Sequence, residues 1–81
     1  MNKETKKKVK LIVRTFLCAN KGKWFSGRQL CDFINSNGFG IRDGVMPSEL
    51  SHVLDRNFCY KFGVTRDRKN SRNVWHYSVV E

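Results

Sequence analysis

Arg66, Arg68, Lys69 and Arg72 fall within seven residues of one another, and Asp67 is the only acid among them. Clustered cations neutralise phosphates and release counterions, the main source of sequence-independent affinity for nucleic acid. Arginine is also well suited to a narrow, strongly negative groove. The plain alternative for the same residues is a solvated loop tip. Arg28 lies two residues after Ser26, a strong helix N-cap, and so stands in a first helical turn. Backbone N–H groups there favour an anion, while a cation works against the helix dipole. A phosphate beside Arg28 would offset that cost. Ser48, His52 and Arg56 share the exposed side of another expected helix and could reach base edges or phosphates, arginine being the best reader of guanine. Glu49 and Asp55 leave that helix without net positive charge, which suits a protein partner better than a groove. For His52 a merely exposed or structural role is an equal reading.

Other chemistry finds little support. Cys18, Cys31 and Cys59 are odd in number and contain no C-x-x-C pair, the usage of a reducing intracellular compartment. With His52 and His76 they match no familiar zinc spacing, so buried structural thiols are expected and no metal. An 81-residue chain has little room for a pocket of ~300 Å³ inside its core. It carries no nucleophile elbow, phosphate-binding glycine loop or metal helix motif. No enzyme activity and no cofactor are expected.

The elements that must position these residues can be read from periodicity. The chain makes one domain, residues 1–81, with a net charge of +9 that favours polyanionic partners. No apolar run approaches the ~20 residues of a membrane span, and the lysine-rich start is unlike a secretory signal. Val9, Ile12, Val13, Phe16 and Leu17 recur at helical steps, predicting a helix over residues 3–20. Residues 1–8 form its basic arm and are expected to fray. Lys3, Lys6, Lys7, Lys8 and Lys10 read equally as a solvated helix end, a nucleic-acid arm or a targeting tag. Lys23–Phe25 is a short bridging strand. Ser26 and Gln29 complete a capping box, and Phe25 and Leu30 a hydrophobic staple, predicting a second helix over 27–37. Leu30, Phe33 and Ile34 form its buried stripe. Pro47 suits the first turn of a third helix running to Asn57, with Leu50, Val53 and Leu54 inward.

The last third alternates. Phe58, Tyr60, Phe62 and Val64 predict a half-buried strand, and residues 74–80 a second one. A hairpin folded about Asn70–Ser71 would pair Val64 with Trp75, Phe62 with Tyr77 and Tyr60 with Val79. The large apolar residues then share one face, and His76 and Ser78 the other.

This order of elements resembles the winged helix-turn-helix superfamily over nearly the whole chain. The resemblance implies an α+β fold of three helices and a small antiparallel sheet, made of a short strand and a C-terminal wing hairpin. It implies that residues 47–57 are the recognition helix and 65–73 the wing. The expected function is binding of double-stranded DNA, in the manner of a small transcriptional regulator, by a monomer or weak homodimer. Arg28, Ser48, His52, Arg56, Arg66, Arg68, Lys69 and Arg72 would form the interface. The alternatives are a winged-helix interaction or assembly module that binds a protein through residues 47–57, or an RNA-binding protein. About nine residues join the second and third helices, against a usual turn of three or four, leaving their mutual angle open.

Overall fold

The computed structural model describes residues 2–41, 44–68 and 74–79. Within them the fold is α+β, with four helices and a three-stranded antiparallel sheet.

Helix α1 (Lys3–Ala19) begins at Asn2, whose side chain accepts the Thr5 N–H at 2.8 Å. This cap satisfies one of the backbone N–H groups at the lysine-rich start of the helix. Val9, Val13 and Leu17 form its buried stripe. Phe16 lies on a neighbouring face, stacked on Phe33 with ring centroids 4.2 Å apart. Lys7, Lys10 and Arg14 point elsewhere, as their spacing around a 3.6-residue turn requires.

Strand β1 spans Phe25–Ser26, later than the expected 23–25. The chain leaves α1 through a further turn, in which the Lys23 N–H reaches the Asn20 carbonyl at 3.1 Å. Helix α2 (Gly27–Asn37) follows with the predicted boundaries and capping box. Gln29 N–H donates to Ser26 Oγ at 3.1 Å, and Ser26 N–H to Gln29 Oε1 at 2.8 Å. Leu30, Cys31 and Ile34 are buried, while Phe33 is half-buried.

The long connection out of α2 is fastened by Asn35. Its side-chain amide donates to the Val45 carbonyl at 3.0 Å and its oxygen accepts the Val45 N–H at 2.8 Å. Val45 is thereby held in the core. Gly44 lies between these groups at φ +72°, and a Cβ on it would stand 3.0 Å from Asn35 Oδ1. Asn35 thus ties the approach to α3 back onto α2.

Helix α3 (Pro47–Val53) has Pro47 in its first turn but stops before the expected Asn57. A separate helix, α4 (Arg56–Phe62), replaces the first part of the predicted strand. Asp55 caps it, with Oδ1 accepting the Phe58 N–H at 2.9 Å. Gly63 ends it in the left-handed conformation at φ 67° and ψ 29°. Phe58 and Phe62, four residues apart, meet on one helical face at 5.1 Å. Tyr60, expected to face the core, is 90% exposed.

The hairpin consists of β2 (Thr65–Asp67) and β3 (His76–Ser78), and the sheet order is β1-β3-β2. Thr65 pairs with Ser78, Arg66 with Tyr77 and Asp67 with His76. The register is thus four residues from the one expected. Ser78, expected on the open face, is fully buried beside Tyr77. The core gathers the inward residues of α1, α2, α3 and α4 with Val45, Val64, Tyr77 and Val79.

Candidate nucleic-acid interface

Arg66 and Arg68 are two residues apart, Arg66 on β2 and Arg68 just past its end, and so project to the same side of the hairpin. Both reach across to Trp75, just before β3. The guanidinium carbon of Arg66 lies 4.2 Å from the ring centroid, and that of Arg68 lies 4.8 Å. One indole therefore holds two guanidinium groups beyond the Asp67–His76 pair of the hairpin. Such contacts limit the arginine rotamers while leaving their N–H groups available to an anion.

Trp75 is also fixed to the start of α2, because the Gly27 N–H donates to its carbonyl at 3.1 Å. Beside this junction a cleft of about 430 Å³ is lined by Gly27, Arg28, Ser48, Ser51 and Trp75 among others. The first turns of α2 and α3 thus meet the hairpin. Two of the early N–H groups of α2 are already engaged, Gly27 by Trp75 and Gln29 by Ser26. What α2 offers an anion is chiefly the exposed Arg28 side chain. Ser51 Oγ donates to the Ser48 carbonyl at 2.9 Å, and the exposed Ser48 lines the cleft.

The structure brings some of the residues named from the sequence close together and leaves others apart. Arg28 and Ser48 line one cleft with Trp75, and Arg66 and Arg68 lie on that ring. His52 is exposed near the end of α3 but does not line the cleft. Arg56 belongs to α4, so the break at Leu54–Asp55 separates it from the helix that carries Ser48 and His52. Lys69 and Arg72 lie outside the described residues. Neither Trp75 nor Ser51 stands out in the sequence, where Trp75 reads only as a core residue of the hairpin.

The two acids that weigh against a groove for residues 47–57 have local duties. Glu49 accepts the Met46 N–H at 3.1 Å, and Asp55 caps α4. Of the thiols, Cys31 and Cys59 are buried while Cys18 is exposed. Burial pushes the Cys31 thiol up to about 11, with Asp32 and Glu49 adding to the rise. Burial also raises Cys59, where Arg66 opposes the effect and Asp55 adds to it. Among the described residues no cluster of three or more His, Cys, Asp or Glu is placed to hold a metal ion. No described helix is long and apolar enough to cross a membrane.

No protein-family model matches the chain, and no curated protein or solved structure matches it either.

Proposed function

We propose that this chain is a winged-helix module that binds double-stranded DNA, of the kind that serves as a small transcriptional regulator. The phosphate backbone would lie in the cleft between the starts of α2 and α3 and the Trp75 end of the hairpin. Arg66 and Arg68 would face the adjacent groove. The observation that carries this reading is the meeting of Arg28 and Ser48 with Trp75, whose ring bears Arg66 and Arg68. Cations and a hydroxyl on separate elements converge there, as backbone contacts to a duplex require. The order of elements and the addition of β1 to the hairpin edge also support it. In this reading α4 is an extra helix between the recognition helix α3 and the wing. Glu49 and Asp55 each accept a backbone N–H at a helix start, a local role that accounts for both acids without a protein partner.

Trp75 provides the test, since only Trp24 shares its fluorescence. In a Trp24→Phe variant, titration with random-sequence duplex at low salt should change Trp75 emission saturably. Single-stranded DNA and RNA should produce a weaker response. No change with duplex, or a response to RNA alone, would contradict the reading.

A further inference from the structure

We propose a second phosphate-binding surface in the cleft between α1 and α4, through which one molecule holds two segments of duplex DNA at once. The bridging part of this inference rests on the reading above; the second surface stands on its own residues. Lys7, Lys10 and Arg14 of α1 converge with Lys61 of α4 around a cleft of about 470 Å³. Phe58 and Phe62 are among its apolar lining. Arg14 Cζ lies 4.9 Å and Lys61 Nζ lies 5.6 Å from the centroid of the Phe62 ring. Phe62 thus holds two cations from two helices, as Trp75 holds two from the β2 side of the hairpin.

Four cations gathered in one cleft repel one another unless a counter-charge enters. Asp55 is the single acid lining it, and one of its oxygens is occupied by the Phe58 N–H. Among the described residues no ion pair neutralises Lys7, Lys10, Arg14 or Lys61. The chain already carries +9, so such crowding is stabilised most by a polyanion.

The two clefts are distinct in residues and in position. They have no lining residue in common. Helix α3 runs between them, with Ser48 at one end and Asp55 just past the other, a rise of about 10 Å. They also lie towards opposite ends of the hairpin. Trp75 stands at the tip end, whereas α4 leads into Thr65, which pairs with Ser78 at the far end.

A capture experiment decides. Beads carrying a short random duplex are loaded with protein, washed, and offered the same duplex bearing a fluorophore. The wild-type chain should retain the labelled duplex. Lys7→Ala/Lys10→Ala/Lys61→Ala should lose capture by about tenfold or more, while its affinity for a single duplex stays within about threefold. Lys61→Glu, confined to the exposed side of α4, should shift capture in the same direction. Retention of capture, or loss of single-duplex binding in equal measure, would overturn the second surface. The arm Arg28→Ala/Arg66→Ala/Arg68→Ala reports separately on the first interface. If that variant loses neither single-duplex binding nor capture, the earlier reading fails, whatever the lysine variants show.

Discussion

Tyr77 shows at the scale of one residue how fold and charge are joined. Its ring is fully buried, and its phenol oxygen has no hydrogen-bond partner among the described residues. Burial pushes the phenol up to about 12, with buried Cys59 adding to the rise. The paired Arg66 opposes that rise from nearby. Removing an unpartnered hydroxyl relieves a desolvation cost, so Tyr77→Phe should leave stability unchanged or raise it by up to about 1 kcal/mol in urea denaturation. Cys31 and Tyr77 are acids with folded pKa values above their ordinary 9.0 and 10.0. The folded chain then binds more protons than the unfolded one in that range, so stability is full below the ordinary values and falls as pH rises. Melting temperature should therefore decline from about pH 9 through 12, and the Tyr77→Phe variant should lack part of the upper end of that decline. Asn35 makes the opposite case, a polar side chain whose two bonds hold Val45. Asn35→Ala should cost about 1–2 kcal/mol. In the sequence Arg28, Ser48, Arg66 and Arg68 were legible as cations and a hydroxyl on early helical turns and a hairpin. Trp75 was not, because an aromatic in a strand pattern reads as core until its cross-strand partners are known.

At the scale of elements, α2 was legible to the residue because its cap is local chemistry. α4 was missed for an equally local reason. Phe58 and Phe62 are four apart, a spacing that satisfies both an alternating strand and one face of a helix. The deciding signals were Asp55 as a cap three residues before Phe58 and Gly63 just after Phe62. The hairpin slip has the same character. A shift of four residues keeps the alternation of β3 intact, so Trp75, Tyr77 and Val79 could not reveal it. What changed was the opposing strand, which brought Arg66 opposite Tyr77 where Phe62 had been expected. Truncation separates the two arrangements. Phe58→Ala should cost about 3–4 kcal/mol, since its ring is buried in the core. Tyr60→Ala should alter stability by no more than about 0.5 kcal/mol, because a 90% exposed side chain gives up no packing. Asp55→Ala should cost about 1 kcal/mol through removal of the cap. A strand with Tyr60 inward would make the tyrosine truncation as damaging as that of Phe58.

For the whole molecule, the net charge of +9 is legible in the sequence and is what makes a polyanion the proposed partner. Its distribution was not legible, because it depends on which helix faces and strand ends meet. The structure gathers part of that charge beside the Trp75 cleft and part in the cleft between α1 and α4. The proposed duplex contacts of the first cleft are electrostatic, so they should appear in the salt dependence of binding. With about 4–6 phosphates engaged, log affinity for a random duplex should fall against log salt with a slope near −4 to −5. The most direct measurement is that slope for the wild-type chain and for Arg28→Ala/Arg66→Ala/Arg68→Ala, followed by fluorescence anisotropy. The variant should remain folded and bind more weakly, with a slope shallower by about one unit for each phosphate it no longer neutralises. An unchanged slope and affinity in the folded variant would contradict the placement of DNA at the Trp75 cleft.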